Sequence, residues 1–428
     1  MYPIDKINAK LEESIQHLAQ HRSDFSRTPQ DFTRQRKLPF EKLLHFLISL
    51  ESSNFSRELF QYFHYDEQVP SVSALVQQRQ KLNDKAFPTL FYSFTNTLDA
   101  PRLFRGYRLI ACDGSDLNIP RNPNDKETYF EQGYNQLHLN ALFDVLNQLY
   151  VGALIQPARL ENERQAEIEM LQSASLPSKT IVLSDRGYES YHLFESIKKQ
   201  GYHYLIRVKN TTSSTSLLKS FKLPDESFDT TVTRLLTRRA TREIRAHPEI
   251  YKRICQNQQF DLLPQKSLDT YPFTLRVLQF PLDSGRMEAL VTDLPESELS
   301  MQEAKTLYAL RWGIETSFRE LKYTVGLSYP HAIRREFNEQ EVFARLILFN
   351  LGSAVIQEEA KHMEWERGKA IFISYKNGLQ ICRDFLLGRI ASCQVGGFIK
   401  KYYYRQRKKG TNERNIRAKR FVSFAYRF

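Results

Sequence analysis

Cysteine is scarce in this chain of 428 residues, which contains only four. Cys112, Cys255, Cys382 and Cys393 lie far apart and form no Cys-x-x-Cys pair. This spacing argues against a zinc knuckle and against a disulfide framework. Such sparse use of cysteine fits a protein of a reducing compartment.

Long apolar runs are also missing. A membrane-spanning helix needs about 18 consecutive apolar residues, and the most apolar stretch, residues 346–357, is interrupted by Asn350, Gly352 and Ser353. The first residues, MYPIDKINAKLEE, lack the apolar core of a secretion signal. We therefore expect a soluble protein that stays in the cytoplasm and does not act on a membrane.

Acidic residues are nearly absent from the C-terminal end. Residues 400–428 contain eleven basic residues and one acidic residue, which accounts for most of the net charge of +12. A terminal block of one sign is usually a solvated interaction segment, and a basic block binds nucleic acid or an anionic membrane. The alternative is a tail that only maintains solubility.

Apolar residues are plentiful: 41% of the chain is hydrophobic and 12% is aromatic. This composition excludes wholesale disorder and, at this length, predicts roughly three domain-sized units. The pattern changes along the chain divide it into a helical segment, a mixed α/β segment, a largely β segment that begins rich in Ser and Thr, a second helical segment and a basic C-terminal segment. Their predicted limits are 1–105, 106–209, 210–299, 300–363 and 364–428.

The first helical segment contains a candidate DNA-reading helix. Pro70 ends the preceding element and Ser71 is a suitable N-cap for a new helix. That helix presents polar residues, including Gln77 and Arg79, after a short turn, as a recognition helix does. A plain surface helix has the same pattern, so both interpretations remain open.

Two aspartates occur in the same local setting. Asp113 ends the apolar run LIAC, Asp185 ends the run TIVLS, and turn residues follow each of them. In α/β sheets, side chains at the carboxyl ends of strands face a crevice where ligands bind. Aspartate is also common in ordinary turns after strands.

A third carboxylate lies on a helix that Ser300 and Glu303 open with a capping box. We predict one continuous helix from Ser300 to about Lys322 and another over about 339–361, begun by Asn338. At about 100° per residue, a single face within an arc of about 60° carries four residues: Tyr308, Arg311, Glu315 and Lys322. On periodicity alone, this stripe is typical of surface salt bridges worth a few tenths of a kcal/mol.

The spacing Tyr-x2-Arg-x3-Glu-x6-Lys, with Trp312 inside it, resembles the signature of bacterial insertion-sequence transposases of the DDE type. The Asp-Gly-Ser at 113–115 and the Asp-Arg-Gly at 185–187 resemble the first and second catalytic aspartates of that group in order and context. The run Leu-Ile-Arg-Val-Lys at 205–209 is similar to the strand that follows the second aspartate. The resemblance covers residues from about 106 to 350.

This resemblance implies an α/β fold with a ribonuclease-H-like mixed sheet core, interrupted by a largely β insertion. The apolar spacing of residues 1–105 predicts an N-terminal all-helical domain before it, which we expect to bind DNA ends. It implies that Asp113, Asp185 and Glu315 are catalytic and bind two Mg²⁺ ions, with Mn²⁺ as a substitute. Two divalent ions stabilise both the attacking and the leaving oxygen of a phosphodiester.

The implied activity is cut-and-paste transposition: cleavage at transposon ends and transfer of the freed 3′-hydroxyl into target DNA. The implied partners are double-stranded DNA, as inverted-repeat ends and target, and a second copy of the chain in a homodimer. The location is the bacterial cytoplasm at the nucleoid. The alternatives are a nuclease or resolvase of the same fold, and a domesticated derivative that only binds DNA.

Several further residues are expected to contact DNA or to support the fold. Near the metals, Tyr308, Arg311 and Lys322 are expected to contact the DNA strand, and Trp312 either stacks on a base or lies in the core. An Arg cluster at 234–245 is expected to contact phosphates, through Arg238, Arg239 and Arg242. His138, in the middle of a predicted strand, is interpreted as structural rather than catalytic.

Overall fold

The structure, a computed structural model, describes residues 1–404 except 35, 212, 214, 283, 329 and 368–371. Most of the basic C-terminal block predicted from the sequence, residues 405–428, therefore lies outside the described residues. In the part of the chain that the structure describes, no helix is long and apolar enough to cross a membrane.

The residues before the sheet form helices: α1 (Pro3–Gln20), α2 (Phe40–Ser49), α3 (Phe55–Tyr62), α4 (Val72–Arg79) and α5 (Ala86–Thr95). The first of them buries apolar residues spaced three and four apart, so one face of α1 packs inward. Side chains of Asn54 and Ser71 accept backbone N–H groups in the first turns of α3 and α4, which fixes where these helices begin.

A mixed sheet with crossing helices follows. Its first elements are β1 (Arg108–Ile119), β2 (Tyr129–Phe130), β3 (Tyr134–Asp144), β4 (Leu149–Pro157), α6 (Glu163–Ser173), β5 (Thr180–Ser184), α7 (Tyr191–Lys199) and β6 (His203–Val208). The next are β7 (Phe228–Thr237), α8 (Arg242–Ala246), β8 (Tyr251–Arg253), β9 (Thr270–Pro281) and β10 (Met287–Thr292). The predicted strand pair at 137–146 and 149–157 corresponds to β3 and β4.

Among the described residues the sheet has ten strands, with the order β2-β3-β1-β5-β6-β10-β9-β7-β8, and β4 pairs with β3. The central neighbours β1, β5 and β6 run parallel, whereas β3 lies antiparallel to β1 and β10 antiparallel to β6. Strands from residues 210–299 thus continue the same sheet beyond β6. The fold is a mixed α/β fold with one large sheet.

Further helices follow the sheet: α9 (Met301–Leu310), α10 (Trp312–Tyr323), α11 (Arg335–Arg367), α12 (Tyr375–Leu386) and α13 (Ser392–Lys401). A small ladder pairs β11 (Phe372–Ile373) with β12 (Tyr403–Tyr404). The prediction of one continuous helix from Ser300 to Lys322 is wrong, because Arg311 separates α9 from α10 through i to i−3 hydrogen bonds. The predicted helix at 339–361 lies within the longer α11.

Two apolar cores lie on the two faces of the sheet. One contains the N-terminal helices, α10 and α11, together with Leu109 and Ala111 of β1. The other contains α6, α7, and Ile110 and Cys112 of β1. Side chains alternate between the faces of a strand, so the next residue, Asp113, faces α10 and Gly114 faces α6. Because the helices before β1 share their core with α11, they pack directly on the rest of the protein.

Candidate active site

Adjacent parallel strands carry the two predicted aspartates. Cys112 of β1 pairs with Ser184 of β5, and each is followed immediately by an aspartate, Asp113 or Asp185. Ile181 and Leu183 belong to the same core as Leu109 and Ala111, so the alternation of β5 directs Asp185 to the same face as Asp113. Parallel register and matching alternation therefore bring together two carboxylates that lie 72 residues apart in sequence.

The third predicted carboxylate reaches this position from α10. Ile314, Phe318 and Leu321 anchor that helix in the core, and Glu315 lies half-buried beside them. Arg311 connects it to the sheet: its guanidinium donates to Glu315 Oε1 at 2.8 Å and to Asp113 Oδ2 at 3.1 Å. The structure thus joins Asp113 and Glu315 through one buried arginine, and Asp185 is near enough for its charge to raise the pKa of that arginine.

Burial and neighbouring charges have opposite effects on the pKa values of this cluster. Burial raises the pKa of Asp113 to about 6, although the Arg311 charge and the Gly114 backbone N–H both lower it. For Arg311, burial lowers the pKa, but Tyr308 and the nearby carboxylates outweigh burial and raise it. The guanidinium is therefore always charged and compensates part of the negative charge of the cluster.

The other side chains of the predicted helix face differ in how deeply they are buried and in their partners. Tyr308 is only 4% exposed and its hydroxyl has no hydrogen-bond partner among the described residues. Arg311 is 1% exposed and pairs with carboxylates. The DNA contacts of these two residues stay predictions. Lys322 is half-buried and donates to the backbone carbonyl of Asp116 at 2.7 Å. Trp312 is 55% exposed, which excludes its burial in the core.

Two more residues with predicted DNA contacts have interior side chains in this structure. Arg79 is fully buried and donates to Gln340, Glu341 and the Phe337 carbonyl of α11. Arg238 is 3% exposed and its guanidinium donates to backbone carbonyls, among them that of Leu263 at 3.0 Å. Both arginines satisfy protein groups that burial would otherwise leave unpaired.

The remaining predicted DNA contacts are accessible. Gln77, Arg239 and Arg242 are exposed. Gln77 lies on α4, whose next two residues, Gln78 and Arg79, are buried. The sequence pattern identified the polar residues of this helix but did not tell its outer face from its inner face.

A cluster around His138 was missed by the sequence reasoning, which treated this histidine as structural. His138 Nδ1 lies 2.8 Å from Asp116 Oδ1 and 3.1 Å from Glu161 Oε2, and Nε2 lies 3.2 Å from Glu163 Oε1. Burial lowers the pKa of His138, but its hydrogen bond to Asp116, its contact with Glu163 and the Glu161 charge prevail and raise it to about 9. No local pattern marks this cluster in the sequence, because the register of β1 and β3 brings Asp116 opposite His138.

A basic cavity also adjoins the second aspartate. Arg186, Arg207 and Lys209 line it together with Glu288, and its volume is about 220 Å³. Arg207 Nε lies 3.2 Å from Glu288 Oε2 across β6 and β10. Burial raises the pKa of Glu288, and Asp185 adds to this effect. The cavity therefore offers several cations within reach of the carboxylates.

The chemistry of the donor set fits a hard divalent cation. Carboxylate oxygens are the ligands that Mg²⁺ and Mn²⁺ prefer, and few are needed because these ions keep water and phosphate as further ligands. All three of Asp113, Asp185 and Glu315 are half-buried, so they remain accessible to solvent. Within the described ranges, the tightest acidic group with metal-ligand spacing is the neighbouring cluster Asp116, His138 and Glu161.

The fold and this site define an α/β protein with an acidic centre where the parallel ladder of β1 and β5 ends, at Asp113 within β1 and Asp185 directly after β5. A helix from later in the chain closes this centre. The chain belongs to the family described as Transposase DDE domain, whose model matches residues 104–351. This range runs from just before β1 into α11 and includes all three carboxylates. Membership in this family implies dependence on a divalent metal.

Two relatives from Escherichia coli are similar over a shorter stretch. The putative transposase InsL for insertion sequence element IS186A is 34% identical over 76 residues, which is 18% of this chain and 20% of the relative. The transposase for insertion sequence element IS421 matches with the same identity and coverage. The chain thus spans about a fifth of the length of the curated relatives it matches.

Among solved structures, the synaptic complex of piggyBac transposase with hairpin DNA is similar at a TM-score of 0.42 and 10% identity. That match covers 84% of this chain and 70% of the other chain. Similarity at this level supports no conclusion on mechanism or partner.

Proposed function

We propose that this protein is a DNA transposase that cleaves at the ends of its element and joins the freed 3′-hydroxyl to target DNA. The observation that carries this proposal is the convergence of Asp113, Asp185 and Glu315 around Arg311 in a chain of the DDE transposase family. The finer features of the fold, a ribonuclease-H-like core and an N-terminal helical unit that binds DNA ends, belong to the same proposal. The domain limits are also part of this proposal: 1–105, 106–209, 210–299, 300–363 and 364–428.

In this proposal Asp113, Asp185 and Glu315 hold two Mg²⁺ ions. When bound, the ions polarise the phosphate and stabilise charge on the attacking and leaving oxygens. The protein's part is to fix the three carboxylates: β1 and β5 are held by their ladder, and Glu315 is held by the core contacts of α10 and by Arg311. Arg311 acts as a positioning residue because its two ion pairs set the separation of Asp113 from Glu315.

Two successive reactions occur at this centre. Water first attacks the phosphodiester at the element's end, which leaves a 3′-hydroxyl on the element. That hydroxyl then attacks a phosphodiester of the target, forms a new bond to its phosphorus and displaces the target's own 3′-oxygen. No bond to the protein is formed, so the side chains act by binding and orienting the strands.

Basic side chains around the centre are suited to hold the DNA backbone. Lys322 lies beside Asp116, and the cavity with Arg186, Arg207 and Lys209 adjoins Asp185. Farther out, Arg239 and Arg242 are exposed for phosphate contacts that add affinity without reading sequence. Gln77 on the outer face of α4 is the proposed contact for reading the end sequence. Joining two ends requires two active sites, so the proposed assembly is a homodimer.

The test uses purified full-length protein, Mg²⁺ and linear DNA that carries the sequences flanking the coding region. We expect cleavage at the repeat ends and, with a supercoiled target, a joined product. Glu315→Gln is expected to abolish both products, whereas the matched control Glu320→Gln retains both. Glu320 is on the same helix, where one carboxylate oxygen accepts from the Thr324 hydroxyl at 2.7 Å.

Equal loss of activity in both variants, or equal retention in both, would contradict the assignment of Glu315. Cleavage without any joined product would support the alternative nuclease or resolvase. Specific DNA binding without cleavage by the wild-type protein would support the alternative of a binding protein derived from a transposase.

A further inference from the structure

The ladder between β1 and β5 ends at the candidate active site. The last paired residues are Cys112 and Ser184, whereas β1 continues to Ile119 alongside β3. Beyond Ser184 the chain turns away through a short helical turn at Arg186–Tyr188. The edge of β1 at Asp113 and Gly114 is therefore no longer covered by β5, and groups from both faces of the sheet can meet there.

Glu163, the first residue of α6, reaches this opening from the face opposite α10. A Cβ atom at Gly114 would lie 2.5 Å from Glu163 Oε1, and a Cβ atom at Gly187 would lie 3.8 Å from Glu163 Oε2. The carboxylate thus occupies the space beside two glycines, one directly after Asp113 and the other two residues after Asp185. Its charge is close enough to be among the causes that raise the pKa of Asp113.

His138 pairs with this carboxylate, and Arg164 holds the start of the helix that carries it. The imidazole is 6% exposed, and its Nε2 atom forms an ion pair with Glu163 Oε1 at 3.2 Å that lacks the alignment of a hydrogen bond. On the other side, Arg164 Nε donates to the Gly187 carbonyl at 2.9 Å and so ties the start of α6 to the turn after Asp185. Oε2 of Glu163 therefore faces the turn that carries Asp185.

Charge balance gives Glu163 a separate role from its neighbours. Asp116 and Glu161 both approach Nδ1 of His138, at 2.8 and 3.1 Å, and are sufficient to compensate one imidazolium. Glu163 is an additional negative charge at the strand ends. Its side chain is 36% exposed, so it is accessible to a hydrated ion.

We propose that Glu163 is a fourth carboxylate ligand of the divalent-metal centre at Asp113 and Asp185, and that His138 is the residue that positions it. This inference rests on the proposed function, because it assumes the metal centre there. It extends that centre to both faces of the sheet: Asp113, Asp185 and Glu315 approach from the α10 side, and Glu163 approaches from the α6 side.

The test is Mn²⁺ binding to the full-length protein without DNA, measured by electron paramagnetic resonance of free Mn²⁺ and by calorimetry. We expect Glu163→Gln to weaken binding at least tenfold. His138→Gln, which leaves the carboxylate in place but unsupported, should weaken binding by about tenfold to a hundredfold, as loss of a ligand's supporting partner does. Circular dichroism verifies that each variant is folded.

The matched control is Glu169→Gln, which alters an exposed carboxylate of the same helix that accepts from Gln165 Nε2 at 3.0 Å. It should change Mn²⁺ affinity less than threefold. Equal effects of Glu169→Gln and Glu163→Gln would overturn the proposal, because the change would then reflect general charge. Unchanged affinity in Glu163→Gln would overturn it as well.

Asp113→Asn separates this inference from the proposed function. If Asp113→Asn weakens Mn²⁺ binding and Glu163→Gln does not, only the fourth ligand is wrong. If neither variant changes Mn²⁺ binding, the proposed metal centre itself is wrong.

Discussion

A buried charge cluster joins the N-terminal helices to α11 and makes stability depend on pH. His331 donates its backbone N–H to Glu341 Oε2, and its Nδ1 lies 2.9 Å from the same oxygen. Arg79 of α4 donates to Glu341 Oε1 at 3.0 Å, and Glu58 of α3 lies 3.8 Å from the imidazole. The His331 and Glu341 side chains are only 5% and 4% exposed, so solvent screens these charges little.

The direction of the pH effect follows from the pKa of His331. Burial and the charge of Arg345 lower it, but Glu341 and Glu58 prevail and raise it from 6.5 to about 9. At about 1.36 kcal/mol per pKa unit, this corresponds to roughly 3 kcal/mol of stability. That stability is fully present below pH 6.5 and is lost as the pH rises through about 9. The pKa of Glu341 is lowered from 4.5 to about 2, so the stability that this carboxylate contributes is lost only as the pH falls below 4.5.

The perturbation is His331→Gln, and the assay is urea unfolding at intervals from pH 5.5 to 9.5, followed by circular dichroism and fluorescence. We expect the variant to be less stable than wild type by about 3 kcal/mol near pH 6, and the difference to vanish above pH 9. The difference in unfolding free energy between wild type and variant at each pH separates the contribution of His331 from that of His138, whose pKa is also raised to about 9. The control His45→Gln removes an exposed pairing with Glu12 and should cost less than about 0.5 kcal/mol at every pH. A difference between wild type and His331→Gln that is constant with pH would refute the reasoning.

Other expected outcomes are independent of this cluster. Burial raises the pKa of Glu167 from 4.5 to about 8, so Glu167→Gln should be close to neutral for unfolding free energy below pH 4.5 and increasingly more stable than wild type as the pH rises from 4.5 to 8 in urea titrations. Asn350→Ala removes the amide that bonds both backbone groups of Tyr150, at 2.9 and 2.8 Å, and should lower the unfolding free energy by about 2 to 3 kcal/mol. Replacing Arg239 and Arg242 by Ala should weaken binding to all DNA sequences alike and reduce the salt slope by about 0.9 for each lost phosphate contact, measured by anisotropy at several salt concentrations. An unchanged slope would mean that these arginines do not contact phosphate.

Local sequence patterns predicted the elements that carry Asp185 and Glu315, but the prediction that turn residues end the strand at Asp113 is wrong, because β1 continues to Ile119 alongside β3. A short apolar run followed by Asp and turn residues predicted the end of a buried strand at Asp185, and the capping box at Ser300 predicted the start of a helix. These signals are local because strand alternation and capping depend on neighbours within a few residues. The break of that helix at Arg311 was not predicted, because the nearby Gly313 does not by itself distinguish a break from a continuous helix and the partners of Arg311 lie on β1 and α10.

Side-chain exposure was the weakest part of the sequence reasoning. Arg79, Arg238 and Arg311 have the composition expected of phosphate contacts, yet each is buried with partners distant in sequence. A buried arginine is satisfied by carbonyls or carboxylates that tertiary packing supplies, and no local pattern distinguishes it from an exposed one. The same limit applies to His138, whose acidic neighbours on β1 and near α6 come together only through the sheet and the start of that helix.

The sequence by itself determined the alternating α/β pattern, the positions of Asp113 and Asp185 after apolar runs, and the spacing that relates Arg311 to Glu315. These follow from periodicity and capping, which act over short distances along the chain. The tertiary structure alone decided that both aspartates face α10, that Arg311 links Asp113 to Glu315, and that Glu163 approaches the same strand ends from the other face. The physical reason is that strand register and burial are collective properties: they are fixed only when the whole sheet and both cores are assembled.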